Sequence, residues 1–368
     1  MRIEPESRSG VSMLASMTST RRFAARSASS AGLSPLDRCV ASSTDQRWAK
    51  VLRLTAWKRL TPAVSSVAEL LAKRGREFDV IVLSRHYVAS KHLDAVRRFA
   101  PQARAVFDTV DLHFLRAERQ ALLDHSAAPA SIDREREQEL DVVRRADVTL
   151  VVSPVERDLL VQLEPAARVD VLSNIHEPMA RGRPFADRSG IVFIGGFRHP
   201  PNADGVLWFA REVLPLVRGR LHGVVTTIVG DDPPASLRAM ATRDIVVAGH
   251  VDDIEPLFVS ARLSIAPLRY GAGVKGKVNL AMSYGVPVVA TSTAVEGMHL
   301  ANRIDVLVAD HPQTFADAII DAYGNEALWT RLSKAGVDNI RRHFSREAAK
   351  RALAGLLGVD GRAPRSAG

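Results

Sequence analysis

The chain of 368 residues is 46% hydrophobic, 25% charged and 5% aromatic. This composition is ordinary for a globular protein and excludes collagen-like fibres and an intrinsically disordered chain. Its length predicts about two domains, each able to bury a core. A single cysteine, Cys39, excludes a disulfide framework and a cysteine-based metal centre. Since no apolar run is long enough to span a bilayer, we expect a soluble, intracellular protein.

The formal net charge of +9 is concentrated near the start of the chain. Residues 1–60 hold 11 Lys and Arg against 4 Asp and Glu, whereas the remainder holds 39 against 37. A basic excess indicates nucleic acid when it covers a folded face, so no nucleic-acid partner is expected here. The Arg- and Ser-rich stretch up to about Ser43 has the composition of a transit peptide. We place residues 1–60 outside the fold, as an extension that is disordered, atypical or produced by an upstream start codon.

From about Thr61, short apolar strands alternate with amphipathic helices. Strands are predicted at Asp79–Ser84, Ala105–Asp108, Val148–Val152 and Val169–Leu172, and a helix at Arg134–Arg145. The β-branched runs are typical of buried strands. A polar stretch from Glu177 to Arg188 contains two prolines and a glycine, which is typical of a linker. We therefore assign residues 61–180 to a first Rossmann-like domain.

The second half repeats this alternation. Its predicted strands are Ile191–Gly195, Val224–Val229, Ile245–Ala248, Leu263–Ala266, Val286–Ala290 and Val306–Val308. Helices are predicted at Ala203–Val217 and Lys275–Tyr284. Such βαβ units predict a parallel sheet, so residues 181–345 form a second Rossmann-like domain, followed by a closing helix, Arg346–Leu357, and a tail within residues 346–368. Two such domains in series predict a cleft that binds ligands at the carboxyl ends of the strands.

A glycine pair follows the first strand of this second domain. Gly195 and Gly196 precede a helix, and Arg198 lies beside them. Backbone N–H groups at such a turn can approach a phosphate, and a helix N-terminus favours negative charge. A tight strand-to-helix turn would need the same glycines. The glycine pair alone therefore does not decide between a phosphate site and a purely structural turn. The segment from Gly195 to Asn202 does not fit the G-x-G-x-x-G fingerprint, and the sequence contains no P-loop.

A second glycine-rich segment, Arg269–Lys277, leads into the next predicted helix. It combines three glycines with Lys275 and Lys277. Cations at a helix N-terminus oppose the helix dipole. An anion between the lysines and the backbone amides would remove that conflict, which predicts a phosphate site. The alternative is a solvated basic loop.

The segment PLRYGAGVKGKVNLAMSYGVPVVATSTAVEGM (Pro267–Met298) resembles the donor-binding signature of the group 1 glycosyltransferases, retaining enzymes with the GT-B fold. GGFRHPPNADGVLWFAREVLP (Gly195–Pro215) is similar to the first loop and helix of the same domain in a bacterial polysaccharide-biosynthesis subgroup. FDTVDLHFLR (Phe107–Arg116), ADVTLVVSPVERDLL (Ala146–Leu160) and VLSNIHE (Val171–Glu177) resemble that subgroup's N-terminal domain.

The resemblance implies an α/β protein of GT-B type, with two Rossmann-like domains facing a central cleft. Nothing in residues 1–60 resembles the family's opening strands, so the N-terminal domain is expected to be incomplete. The C-terminal domain would bind a nucleotide-diphosphate sugar, and the N-terminal domain would present a glycan or lipid-linked acceptor. A cytoplasmic location is implied, with peripheral association at an anionic membrane as a variant of it.

The resemblance also assigns site residues by position. Asp111 and His113 would be catalytic and face the cleft, although a structural hydrogen bond at a strand end is the alternative for His113. No metal or cofactor is expected, because a lysine pair can hold the charge of the leaving diphosphate. The implied donor-binding residues are Gly195, Gly196, Arg198, Gly273, Lys275, Lys277, Glu296 and Gly297.

Three positions depart from the family pattern. Ala272 and Leu280 stand where two glutamates are usual, and Asn202 stands where a lysine is expected. These departures keep a second hypothesis open, a non-catalytic sugar-nucleotide-binding or assembly protein of the same fold. A nucleotide-sugar epimerase is a further alternative. A dehydrogenase is disfavoured because the turn after the first strand of the second domain, from Gly195 to Asn202, lacks the dinucleotide fingerprint.

Overall fold

The computed structural model describes residues 51–54, 66–124, 129–179 and 182–357. The strands are β1 Val51–Leu54, β2 Val80–Ser84, β3 Arg104–Asp108, β4 Val148–Val151, β5 Val169–Val171, β6 Ile191–Ile194, β7 Thr226–Val229, β8 Ile245–Gly249, β9 Leu263–Ala266, β10 Val288–Ala290 and β11 Leu307–Val308. Every strand predicted from the sequence is confirmed to within a few residues.

The helices are α1 Val67–Arg74, α2 His86–Phe99, α3 His113–Asp124, α4 Pro129–Arg145, α5 Pro154–Leu163, α6 Pro200–Trp208, α7 Leu214–Arg218, α8 Ala235–Arg238, α9 Glu255–Ser260, α10 Gly276–Ser283, α11 Ser292–Val295, α12 Pro312–Gly324, α13 Glu326–Asn339 and α14 Arg346–Leu357. A π-helical turn, Phe209–Val213, joins α6 to α7, and Ile340–Phe344 is a second such turn after α13. None of the helices in the described part of the chain is both long and apolar enough to cross a membrane.

The first sheet has the strand order β1-β2-β3-β4-β5, and all its pairs are parallel. Its central strands are rich in valine and buried on both faces, as parallel sheets covered by helices require. Val80, Val106, Val148 and Leu150 form a core cluster on one face. The predicted βαβ organisation of the N-terminal half is therefore confirmed.

Strand β1 corrects the predicted start of the fold. Its backbone pairs in parallel with β2, from Val51 opposite Val80 to Leu54 opposite Leu83. The prediction that residues 1–60 form only an extension is wrong for these four residues. The charged Arg53 interrupts a run too short to show strand periodicity, so the pattern gave no strand signal. Residues 1–50 lie outside the described residues.

The second sheet has the order β11-β10-β9-β6-β7-β8, again with parallel pairs throughout. Its core includes Phe193 and Ile265 on the strands, with Phe209 and Ile319 from the covering helices. The chain starts this sheet at β6, builds outward to β8, then returns to the other side of β6 with β9. The strand order therefore reverses between β6 and β9, which is the topology of a doubly wound sheet.

The chain divides into two compact units that do not follow the predicted boundary near residue 180. The first unit contains the residues up to Leu112, Asp133–Leu172 and those from Lys350 onward. The second contains His113–Ile132 and Ser173–Ala349. Helix α3 thus belongs with the second sheet, although it lies between β3 and β4 in sequence.

The end of the predicted linker is a buried structural element. Arg188 is only 2% exposed. Its guanidinium donates hydrogen bonds to the carbonyl oxygens of Phe258, Ala261 and Tyr284 at 3.0–3.3 Å, and its Nε donates to Arg183 at 2.7 Å. Four carbonyl acceptors compensate for the removal of this charge from water. The polar composition of residues 177–188 is typical of a linker, but Arg188 at its end is buried and hydrogen-bonded within the second unit.

Candidate functional site

The reversal of strand order brings two glycine-rich loops to the same edge of the second sheet. Gly195 and Gly196 follow β6, and residues 267–275 follow β9 and lead into α10. Ligands of open parallel sheets bind outside the carboxyl ends of the strands, at the point where strand order reverses. The sequence predicts a phosphate site at the second loop from its residues and at the first loop from the family resemblance, and the topology supplies the reason for their adjacency.

Asn202 joins the first loop to the start of α10. Its Nδ2 donates to the Gly196 carbonyl at 2.7 Å, and its Oδ1 accepts from the Lys277 ammonium at 2.5 Å. A Cβ on Gly195 would lie 2.8 Å from that Nδ2, so only glycine fits there without displacing the amide. Gly196 has open space where its Cβ would be. An anion can therefore approach the backbone at Gly196.

The pKa of Lys277 is well below that of an ordinary lysine. Burial, with a smaller contribution from the nearby Lys275, lowers the pKa of Lys277 to about 7. The side chain as a whole keeps some exposed surface, but its ammonium lies over the Phe193 ring, 5.3 Å from the centroid. The neutral amide oxygen of Asn202 does not offset this desolvation as a carboxylate would. The fraction of Lys277 present as the neutral amine can therefore gain a proton when an anion binds beside it.

Lys275 is turned toward its own loop. It occupies the N-cap position of α10, is 8% exposed, and its ammonium donates to the carbonyls of Ala272 and Gly273 at 3.1 and 2.5 Å. Gly273 has φ +71°, a conformation that favours glycine. Carbonyl oxygens thus accept the ammonium hydrogens, and Lys275 fixes the shape of the loop.

Arg198 lies on the surface beside the first loop. Its side chain is 69% exposed, and its Nε donates to Asp232 at 2.6 Å. An exposed pair of this kind contributes little to stability, so the guanidinium can exchange its partner at small cost. The predicted contact of Arg198 with a diphosphate remains a prediction.

Glu296 lies beside a groove of about 500 Å³ next to the second loop. It directly follows α11 and precedes Gly297, whose φ is +69°. Both of its carboxylate oxygens accept hydrogen bonds from Arg119 on α3, at 2.6 and 2.9 Å. Arg119, Glu296 and Tyr270 line the groove together with Leu122, Ser292 and Thr293.

Asp111 and His113 follow β3, at the carboxyl end of the first sheet. The turn before them is strained, because Val110 is a β-branched residue with φ +68°. Asp108 holds this turn: its carboxylate accepts from the Ser84 hydroxyl at 2.9 Å and from the Val110 N–H at 3.3 Å. His113 begins α3 and is 8% exposed. Backbone strain of this kind is common at functional sites, and the catalytic roles of both residues remain predictions.

Two residues beside the second loop were not predicted to belong to the site. Asn174 donates its side-chain N–H to the Val274 carbonyl at 3.2 Å. A Cβ placed on Gly276, the first residue of α10, would lie 3.8 Å from His176 Nε2. Burial lowers the pKa of His176 to about 4, so the imidazole is neutral at physiological pH. Asn174 and His176 belong to the polar run that directly follows β5, at the carboxyl end of the strand, but only the fold shows that this run contacts the second loop.

Comparison with known proteins relates one segment of the chain to a family. Residues 188–325 match the family model described as "Glycosyl transferases group 1". A protein of Klebsiella pneumoniae described as an uncharacterized 44.6 kDa protein in the cps region is 24% identical over 140 residues. That match covers 36% of this chain and 36% of the Klebsiella protein, so the chain matches about a third of the length of its curated relative.

Solved structures match over much more of the chain. Sucrose-phosphate synthase from Thermosynechococcus elongatus superposes with a TM-score of 0.63 at 15% identity, covering 79% of this chain and 76% of that one. HepE of Anabaena, solved in complex with UDP, gives a TM-score of 0.63 at 15% identity, with 80% and 82% covered. A mutant of S. aureus TarM, solved in complex with fondaparinux, alpha-GlcNAc-glycerol and UDP, gives a TM-score of 0.63 at 14% identity, with 78% of this chain and 58% of that one covered.

The chain has the GT-B fold that its sequence predicted. Over residues 188–325 it is similar to the group 1 glycosyltransferase family.

The buried imidazole of His176 gives a testable dependence of stability on pH. The unfolded chain binds a proton at this histidine below about pH 6.5, whereas the folded chain does so only below about pH 4. Stability therefore rises with pH across that window, by about 1.6 kcal/mol between pH 5 and 6.5. His176→Gln should flatten the curve of unfolding free energy against pH, measured by urea titration. His222→Gln, at an exposed histidine, is the control, and equal curves for both variants would contradict the assignment.

Proposed function

We propose that this protein transfers a sugar from a nucleotide-diphosphate sugar to a glycan or lipid-linked acceptor in the synthesis of a cell-surface polysaccharide. The observation that carries the proposal is the Lys277 ammonium, held by Asn202 between two glycine-rich loops at the reversal of strand order. The solved neighbours with bound UDP support a nucleotide-linked donor. The Klebsiella relative from a cps region supports polysaccharide synthesis.

The donor diphosphate would lie against Gly196 and the N-terminus of α10. The open space at Gly196 lets an oxyanion reach the backbone, and the helix N-terminus adds favourable potential. Lys277 supplies a full positive charge beside the diphosphate once it is protonated. Lys275 holds the shape of the second loop through its hydrogen bonds to the loop carbonyls. Arg198 can leave its exposed pair with Asp232 and turn to the same diphosphate.

Transfer breaks the bond between the anomeric carbon and a diphosphate oxygen, and the bond to the acceptor oxygen forms at that carbon. Negative charge then grows on the departing nucleoside diphosphate, and the proton of the acceptor hydroxyl passes to an oxygen of that diphosphate or to water. A cation already in place lowers the free energy of this transition state more than that of the bound donor. Asp111 and His113 would orient the acceptor hydroxyl or the donor sugar.

Sugar and ribose hydroxyls need a carboxylate acceptor, and the family's usual positions do not provide one. Leu280 on α10 and Ala272 in the loop cannot accept a side-chain hydrogen bond. Glu296 lies beside the groove that borders the same loop. In the proposal it replaces the missing glutamates, and Gly297 lets the chain turn beside it.

The proposal is tested by binding and then by turnover. Thermal shift with a panel of UDP-, GDP-, ADP- and dTDP-linked hexoses selects a donor, since ligand at 100 times its dissociation constant stabilises a fold by roughly 2.7 kcal/mol. The selected donor is then supplied radiolabelled with extracted glycolipid and oligosaccharide acceptors. Transfer of label supports the enzyme. Binding with neither transfer nor hydrolysis would favour the non-catalytic sugar-nucleotide-binding protein, and no binding would refute both.

Donor binding should take up a proton through Lys277. Above pH 7 the free side chain is mostly neutral, and a bound diphosphate favours its ammonium form. The complex then holds more protons than the free protein, so donor affinity falls with rising pH, by up to about tenfold per pH unit. A nucleotide sugar is a diphosphate diester of constant charge near neutrality, which removes the ligand's own titration from the measurement. Calorimetry at pH 8 in two buffers of different ionisation enthalpy gives the number of protons.

Lys277→Ala should abolish this uptake and weaken donor binding, while free nucleoside binding stays nearly unchanged. Lys275→Ala is the matched comparison, because its ammonium is bonded to loop carbonyls. That variant should retain the proton uptake even where it loses affinity. Equal loss of nucleoside and donor binding in Lys277→Ala would mean that the lysine acts only through the fold.

His113→Ala should lower kcat far more than it raises KM for the donor, because an orienting contact to the reacting groups strengthens in the transition state. Steady-state kinetics with the selected donor measure both constants. His222→Ala, which removes an exposed imidazole, should leave both unchanged. Normal turnover by His113→Ala would assign this histidine to structure alone.

A further inference from the structure

Arg119 makes a three-point contact between two segments of the proposed donor site. Its Nη1 donates to Glu296 Oε2 at 2.6 Å and to the Gly271 carbonyl at 2.7 Å, and its Nη2 donates to Glu296 Oε1 at 2.9 Å. Glu296 lies 177 positions away in sequence and Gly271 lies 152. The planar fork of a guanidinium fits a carboxylate in this way, and a lysine ammonium does not.

The turn that bears Glu296 needs such a contact. Glu296 follows a helix of only four residues and precedes a glycine in the left-handed region, so no regular element fixes the direction of its carboxylate. Gly271 opens the glycine-rich loop that Lys275 shapes from its other end. A single guanidinium therefore fixes the carboxylate and the loop relative to each other.

The pair leaves Glu296 able to bind a ligand. A carboxylate has about four lone-pair sites, and the fork of Arg119 occupies two of them. The side chains of Arg119 and Glu296 are 26% and 31% exposed, and both line the groove beside the loop. The remaining carboxylate lone pairs can therefore accept hydrogen bonds from hydroxyl groups in the groove.

We infer that Arg119 is a positioning residue for the donor, which orients Glu296 toward the hydroxyls of the sugar or ribose and holds the glycine-rich loop at Gly271. This inference rests on the proposed function and adds to it a residue on α3 that acts through Glu296 and not on the donor itself.

A double-mutant cycle in donor binding tests this role. Arg119→Ala should weaken binding of the selected nucleotide sugar by about tenfold, and Glu296→Gln by a similar factor, the loss expected for a charged hydrogen bond. Because Arg119 acts mainly through Glu296 and otherwise only through the Gly271 carbonyl, the two losses should not multiply, and the double variant should bind only slightly more weakly than Glu296→Gln alone. Arg119→Lys should recover only part of the affinity. Calorimetric titration measures all four, after a melting measurement shows that each variant is folded.

Arg303→Ala is the control for loss of one positive charge. Its guanidinium is 64% exposed and paired with Asp321, so donor affinity should not change. If Arg119→Ala unfolds the chain, Arg119→Gln and Arg119→Lys complete the cycle.

The outcomes separate the inference from the function it rests on. If the losses of donor affinity in the two single variants multiply in the double variant, or if Arg119→Ala binds the donor with unchanged affinity, the role of Arg119 is overturned. Donor binding by the unsubstituted chain would still support the proposed function. Absence of nucleotide-sugar binding by the unsubstituted chain would overturn the proposed function and the inference together.

Discussion

The reversal of strand order between β6 and β9 is the constraint on which the candidate site depends. A chain that builds a parallel sheet outward in both directions from one strand must leave two loops side by side at its carboxyl edge. Here those loops begin at Gly195 and after Ala266, and each leads toward a helix N-terminus. The core of Phe193, Ile265 and the covering helices fixes the strands, and the strands fix the loops. The positions of the polar groups at the site follow from that apolar packing.

The described part of the second unit accommodates its buried cations in different ways. Arg188 and Lys275 donate to carbonyl oxygens, whose dipoles stabilise a charge without adding a counter-charge. Arg119 shares a carboxylate, and its partner remains available to the groove. Lys277 bonds to a neutral amide, and its pKa falls as a result of burial. Of these arrangements, only the last leaves a lysine that is partly neutral near pH 7 and that a bound anion would bring fully into its charged form.

Much of the fold could be predicted from the sequence because apolar runs of four to six residues between amphipathic helices are typical of βαβ units. The strand Val51–Leu54 could not be predicted, since it is short, contains the charged Arg53 and is recognised as a strand only by its pairing with β2. The two glycine-rich loops were predicted from composition and resemblance. Their contact through Asn202 was not, because an amide that bridges Gly196 and Lys277 has no local pattern. Arg119 illustrates the same limit: a guanidinium within an amphipathic helix is ordinary until the fold places Glu296 beside it.

The bridge made by Asn202 also has a consequence for how this region can diverge. Gly195 is restricted to glycine by the amide of Asn202, and that amide faces the ammonium of Lys277. A lysine at position 202 would place two ammonium groups together and would remove the donor to the Gly196 carbonyl. A Cβ at position 195 would displace the side chain of residue 202. We therefore expect positions 195, 202 and 277 to change together during evolution. Relatives with a basic residue at position 202 should also differ at position 277 or in the path of the first loop. Replacement of one of the three residues alone should be rare.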